Sequence, residues 1–400
     1  MKIHLLKQVG GNFGDELNRW MWPELLGEVS SDARDDVLFV GIGTILDRNL
    51  PAARVTVVFG TGAGYASVPR DIAPHSARWR IYGVRGPLTA RALNLEQSFA
   101  MTDPAILLAT FREFSGLDRR GTLFIPHWKS VRYGNWEAIC DALGIEFVHP
   151  CRDSRTVVKR IATAEKVIAE SMHAAVIADA FRVPWIPVAL SREVSPFKWV
   201  DWTSSVKLSY SPFCLPASNR IEYLRNSLLT WSVHCNTPDY PSASQVAQGM
   251  RLEFDDFARL MANFTEVRRR INQRWRRDAS MGLELILKRL AMVGLGTSRQ
   301  MSAAATEHLD LLKASKGYLS SDQAHARALQ DTLCRLERLR SDLSSQAVRL
   351  GQVRPVPIAF EGAARKLQKV FDQASIEKEY RQGKNGRSQR DKHSQAQNRP

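Results

Sequence analysis

Short apolar runs recur along the first 235 residues, each broken by glycine or a polar corner and followed by residues at helical spacing. Ile3 to Val9 is the first, ending at Gly10-Gly11-Asn12-Phe13-Gly14-Asp15, after which Trp20 to Leu26 is spaced as a helix. Val37 to Val40 breaks at Gly41 and Gly43, and Val55 to Phe59 breaks at Gly60, Gly62 and Gly64. Glycine at such corners lets backbone amides approach a ligand or another segment closely, although a tight turn alone also uses it. Arg80 to Val84 leads into Arg85-Gly86-Pro87, where proline suits the first turn of a helix running to Leu93.

After the polar stretch Arg112 to Gly121, the alternation resumes. Leu123 to Pro126 reads as a strand ending in His127-Trp128-Lys129, Trp136 to Leu143 as a helix, Glu146 to His149 as a strand and Arg155 to Ala164 as a helix. Lys166 to Ala169 is a short buried strand, Ala174 to Phe181 an alanine-rich helix and Trp185 to Val188 the next strand. Strands alternating with helices predict an α/β fold with parallel sheets. The polar stretch divides it into a Rossmann-like domain at 1–111, a linker at 112–121 and a second Rossmann-like domain at 122–235.

Ligands of open parallel sheets gather where strands end and helices begin, because unpaired amides and the helix dipole favour an anion there. Glu170-Ser171-Met172-His173 is such a corner, and His173, in the first turn of its helix, is the leading candidate for chemistry. A capping or packing histidine is the alternative. Arg85 stands at another helix start as a candidate anion ligand, and Asn12 and Asp15 occupy the first glycine-rich corner. In Ser195-Pro196-Phe197-Lys198-Trp199-Val200-Asp201-Trp202, two tryptophans flank a lysine and an aspartate, a mixture that suits either a sugar-binding cleft or a packed loop.

Charge changes the picture for the rest of the chain. The net charge is +15, and residues 251–400 hold 29 Lys and Arg against 17 Asp and Glu. Residues 250–380 read as a helical basic region, with Arg268-Arg269-Arg270 and Arg274-Trp275-Arg276-Arg277 on one helix. Leu329, Leu336, Leu343 and Leu350 recur every seventh residue, which suits an amphipathic helix or a short coiled coil, and so a homo-oligomer through 329–350. Residues 381–400 lack large apolar side chains and are expected to be disordered. The basic surplus suits an anionic partner, whether phospholipid head groups, nucleic acid or an acidic polymer.

Several classes are excluded or disfavoured. The first glycine corner lacks the lysine and hydroxyl of a P-loop and does not match GxGxxG. The five cysteines, Cys140, Cys151, Cys214, Cys235 and Cys334, are scattered, against a disulfide framework or a zinc site. No paired-carboxylate metal motif appears in the two domains, so no metal is expected. There is no apolar run long enough to span a bilayer and no signal peptide, which places the chain in the cytoplasm.

Taken in order, Gly11-Asn12-Phe13-Gly14-Asp15, the glycine turns at Gly41 to Gly43 and Gly60 to Gly64, Gly83-Val84-Arg85-Gly86-Pro87, Thr102-Asp103-Pro104-Ala105 and Met172-His173 with Pro184 resemble the polysaccharide pyruvyl transferase family, and within it the ketal-pyruvate transferases of the succinoglycan type. The resemblance covers residues 1–202. Ser171 stands where the family's commonest motif has arginine, and Met172 where it has leucine.

The resemblance implies two Rossmann-like domains facing a cleft, as in GT-B glycosyltransferases, with phosphoenolpyruvate as co-substrate and no cofactor. It implies transfer of a pyruvyl group onto two hydroxyls of a sugar, with His173 catalytic and Arg85, Ser171, Met172 and Lys198 around the donor. Asn12, Asp15, His127, Trp199, Asp201 and Trp202 are then cleft or acceptor candidates. The acceptor would be a repeat unit, lipid-linked at the membrane's inner face, and the basic helices would bind that surface rather than nucleic acid. A metal-independent glycosyltransferase using a nucleotide sugar, and a non-catalytic scaffold, are the competing readings.

Overall fold

The computed structural model of the chain describes residues 1–5, 11–27, 37–46, 50–64, 68–69, 71–73, 76–191, 194–228, 287 and 298–350. The basic helix expected at 268–277 and the tail at 381–400 lie outside the described residues. The chain divides into two compact units, 1–342 and 343–400, and only the first is described beyond a helix end.

Within the first unit the apolar runs form two all-parallel sheets. β1 (Lys2–Ile3), β2 (Val37–Val40), β3 (Val55–Phe59) and β4 (Trp79–Gly83) lie side by side in chain order. β5 (Thr122–Ile125), β6 (Glu146–Phe147), β7 (Lys166–Ala169), β8 (Trp185–Ala189) and β9 (Phe213–Cys214) follow the order β6-β5-β7-β8-β9. The apolar, largely β-branched sequences of β2, β3, β5, β7 and β8 suit strands covered on both faces, as crossover helices require. The order reverses between β5 and β7, which makes their carboxyl ends the topological switch point of the second sheet.

The helices are α1 (Phe13–Leu26), α2 (Pro87–Ala92), α3 (Trp136–Ala142), α4 (Ser154–Ala162), α5 (Met172–Ala180), α6 (Pro196–Ser205), α7 (Arg220–Leu228), α8 (Arg299–Ala314) and α9 (Asp322–Leu350). Two differ most from what the sequence suggests. α1 starts at Phe13 rather than Trp20, because the Asn12 side chain caps it by accepting the Gly14 amide at 3.3 Å. The segment read as a cleft or a packed loop at 195–202 is helical, opened by Pro196 at its first turn.

Packing explains the boundaries. Trp22 of α1 meets Phe39 and Phe59 edge-on, with centroids 4.8 and 5.4 Å apart, so the helix lies flat on β2 and β3. In the second half Phe124, Trp136, Ile139, Ile168, Ile186 and Val188 share one core with Ala305, Leu309 and Leu312 of α8. The chain therefore returns after residue 298 to complete that core. α9 then crosses to the first half, where Arg335 donates to the Tyr82 and Ser98 carbonyls at 2.6 and 2.9 Å and Tyr82 donates to Asp342 at 2.6 Å. Leu329 and Leu336, the first two of the seven-residue leucine series, are buried within this unit. Among the described residues no helix is long and apolar enough to cross a membrane.

Candidate active site

The site is assembled from four strand ends. α1 follows β1, and its first turn carries Asp15, whose Oδ2 accepts from Asn12 at 3.1 Å. Asn18, one turn later, donates to the Ile42 carbonyl and accepts the Ile42 amide, both at 2.9 Å, which fixes α1 against the glycine corner after β2. At the switch point of the second sheet, His127 follows β5 and the Glu170 to His173 corner follows β7. Glu170 is buried, and its carboxylate accepts from the His127 amide at 2.8 Å, Ser130 Oγ at 3.0 Å and the Leu190 amide at 3.0 Å. It thus ties together the turns after β5, β7 and β8, a role the sequence did not announce.

His173 stands in the first turn of α5 and is 7% exposed. Its ring packs against Gly14, where a Cβ would overlap the imidazole, so the glycine of the first corner is a steric requirement of the second half's histidine. Its Nε2 lies 3.7 Å from Asp103 Oδ2. Both atoms are enclosed, and neither has a hydrogen-bond partner among the described residues. The other Asp103 oxygen caps the short 3-10 turn Pro104–Thr110 by accepting the Ala105 amide at 3.0 Å. Buried polar groups in folded chains are nearly always paired, so two orphaned atoms facing each other mark a place kept for something else.

Burial sets the protonation of this group. It pushes the Asp103 carboxyl up to about 6, with Asp201 and Asp15 adding to the rise against the amide of Ala105 and the charge of Arg85. Burial first, and then the charges of Lys198 and Arg85, together lower His173 to about 3. Asp15 is also raised by burial, against the charge of Lys198 and the Asn12 hydrogen bond. His127 falls well below its ordinary value, through burial and then Lys198, Lys129 and Arg225, and its Nδ1 is enclosed without a partner among the described residues. Lys198, at the third residue of α6, is therefore the ammonium that Asp15, His127 and His173 share.

Asp15, His127, His173 and Lys198 thus converge as the sequence suggested, with Asn12 bonded to Asp15. Asp103 joins them, signalled in the sequence only by the Thr102-Asp103-Pro104-Ala105 element. Ser171 and Met172 are buried at the start of α5, and Ser171 makes no side-chain cap bond there.

Four other candidates, Arg85, Asp201, Trp199 and Trp202, are placed differently. Arg85 is fully buried: Nε donates to Asp201 Oδ2 at 3.1 Å, Nη1 to Thr44 Oγ1 at 2.8 Å and Nη2 to the Ala63 carbonyl at 3.1 Å. Asp201 also accepts from the Thr89 amide and hydroxyl at 2.9 and 2.6 Å. Trp199 and Trp202 are core residues, 5.0 Å from Tyr210 and 5.3 Å from Trp185 respectively. Of the two readings of that segment, packing is the one its tryptophans adopt.

No cluster of three or more acidic, histidine or cysteine side chains arranged for a metal occurs among the described residues. The convergent side chains offer an ammonium, a histidine and an aspartate that face each other at 3.7 Å, and the dipole of α5 behind them.

Comparison with known proteins gives two findings. Residues 7–192 match the family model for polysaccharide pyruvyl transferase. The succinoglycan biosynthesis protein ExoV of Rhizobium meliloti (strain 1021) is 38% identical over 252 residues, covering 62% of this chain and 79% of that protein. No solved structure matches the chain.

Proposed function

The chain belongs to the polysaccharide pyruvyl transferase family and is an enzyme of that kind, acting in exopolysaccharide biosynthesis; from that premise we propose that it moves the pyruvyl group of phosphoenolpyruvate onto two hydroxyls of a sugar in a lipid-linked repeat unit, forming a ketal. The observation that carries this reading is the orphaned pair Asp103 and His173 beside Lys198. Ketal formation needs one proton delivered to the methylene carbon of the enol, and a cation for the donor's phosphate or carboxylate. The pair supplies the first and Lys198 the second.

Proton balance follows from the residues. Without donor, His173 is neutral and Asp103 gains or loses its proton near pH 6. A bound donor brings negative charge into the buried pair, which favours the protonated form of both groups and draws a proton in. That proton goes to the methylene carbon as the first sugar hydroxyl adds to C2, and the hydroxyl's own proton returns to the pair. The second hydroxyl displaces phosphate, and its proton leaves with the phosphate. Arg85 acts at a distance in this scheme, because Asp201, Thr44 and Ala63 occupy its guanidinium.

The test is incubation of the purified full chain with phosphoenolpyruvate and extracted lipid-linked oligosaccharide. Phosphate release coupled to a mass gain on the oligosaccharide is expected. Phosphate release without that gain would remove the acceptor assignment, and absence of both would remove the donor.

A further inference from the structure

We propose that the turns after β5 and β6 form a second anion subsite beside the donor site, taking a diphosphate ester of the acceptor; the assignment to an acceptor rests on the function proposed above. Strand order sets β6 beside β5, so His127 to Arg132 and His149 to Arg152 emerge next to each other at one end of the second sheet. In the first turn, Lys129 Nζ and the Arg132 guanidinium carbon lie 5.5 and 5.3 Å from the centroid of Trp128, and the His127 ring is 5.8 Å from it. In the second, the charges of Arg152 and Arg132 both act on His149, and Arg132 is also felt at Cys151. Five cationic or imidazole side chains and one indole thus share a small area.

The carboxylates nearby leave Arg132 and Arg152 without an ion pair among the described residues. Asp153 turns away to cap α4, accepting the Thr156 amide and hydroxyl at 2.8 and 2.7 Å, and Glu137 is the acid whose charge reaches His149. Both arginines are exposed. Neighbouring arginines differ. Arg155 is held by Glu24 and Glu113, and Arg160 by Glu146. Guanidiniums left without carboxylates beside an indole are suited to phosphate oxygens, which they grip in pairs.

Position ties this rim to the reaction. His127 feels Lys129 on the rim side and Lys198 on the donor side, and Lys198 in turn acts on His173. The rim also borders the first glycine corner, since the Phe13 amide donates to the Pro150 carbonyl at 2.9 Å. A small donor needs only the inner end of this positive track. Its outer end matches an anion that remains on the second substrate.

The experiment titrates the full chain with inorganic pyrophosphate, farnesyl diphosphate and farnesol, reading heat or tryptophan fluorescence at fixed salt. Both diphosphates should bind, and the Arg132→Gln/Arg152→Gln double variant should weaken them about tenfold or more, as loss of charge-assisted hydrogen bonds predicts. Both side chains are exposed, so the variant should melt as the wild type does. Tighter binding of farnesyl diphosphate than of pyrophosphate supports a lipid-linked ligand, and equal binding supports recognition of the diphosphate itself. Unchanged affinity in the double variant overturns the subsite, as does farnesol binding as tightly as its diphosphate. Phosphate release from phosphoenolpyruvate is scored separately: its absence would sink the donor reading while the titration still decides the rim.

Discussion

Two buried pairs of ionisable groups lie at the strand ends of this enzyme, and they are built to opposite plans. Arg85 and Asp201 are each fully enclosed and spend their donors and acceptors on each other, Thr44, Ala63 and Thr89. Asp103 and His173 are almost as deeply buried, yet Oδ2 and Nε2 face each other at 3.7 Å with no other partner among the described residues. Closing every hydrogen bond compensates for burying charge and gives a lock between α2 and α6. Leaving two atoms open costs stability, and such a cost persists where a ligand or a moving proton uses it.

Removal of His173 should have the largest effect on activity. Proton transfer by a positioned side chain contributes about 100- to 10,000-fold, so His173→Ala should lose turnover by that factor. The alanine also vacates the space that the ring fills against Gly14, so a moderate drop in melting temperature should accompany the loss of turnover. Asparagine can still donate a hydrogen bond but exchanges no proton near neutrality. A His173→Asn enzyme retaining most of its kcat would make the histidine a binding residue and send the search for the acid to His127 or Asp15.

Arg85→Ala should do the reverse. Removing one partner of a buried, hydrogen-bonded pair typically costs about 3–5 kcal/mol, here by stranding Asp201. The variant should melt far below wild type, and whatever stays folded should keep a donor KM close to normal. Gly62→Ala probes the same lock sterically, since a Cβ at Gly62 would overlap the Arg85 guanidinium. A normally folded Arg85→Ala enzyme with a raised donor KM would restore Arg85 as a donor ligand and collapse the distinction between the two pairs.

What the sequence reveals of this contrast depends on how local each feature is. The strand ends are legible because glycine corners follow apolar runs directly, and Lys166 to Ala169 is a strand within the limits read from the chain. His173 is legible because its helix starts at a polar corner between two apolar elements. The closed lock is not, because Asp201 lies 116 residues from Arg85 and nothing local distinguishes a caged arginine from a ligand-binding one. Trp199 and Trp202 misdirect for a similar reason: a tryptophan beside lysine and aspartate looks like a surface until Trp185 and Tyr210 are seen to cover it. Asp103 is visible in the sequence only within the Thr102-Asp103-Pro104-Ala105 element. Its second oxygen acquires meaning when α5 arrives from the other half.

The finest distinction between the pairs concerns protonation, and Asp103→Asn measures it. The asparagine can keep the cap on Ala105 while placing an uncharged amide opposite His173, so turnover should fall by about 100-fold, the lower end for a proton-transfer group. Stability should change with a definite sign. The Asp103 pKa is raised by burial from 3.8 to about 6, so its contribution to wild-type stability is fully present below its ordinary value and is lost as pH rises through 6. The asparagine variant has no such loss, and its melting temperature should gain on wild type as pH increases from about 4 to about 8. His173 works in the other direction: its pKa is lowered to about 3, so its contribution is present above 6.5 and fades as pH falls towards 3. Because both proteins carry His173, that acid limb largely cancels in the difference, and the remaining slope belongs to Asp103. Arg85 and Asp201 supply the control, since Thr89→Val removes one hydroxyl from the closed lock and should lower the melting temperature by a similar amount across the same pH range. If Asp103→Asn also shifts melting by a constant amount, the Asp103 carboxyl is not strained by burial, and the open pair is as fully compensated as the closed one.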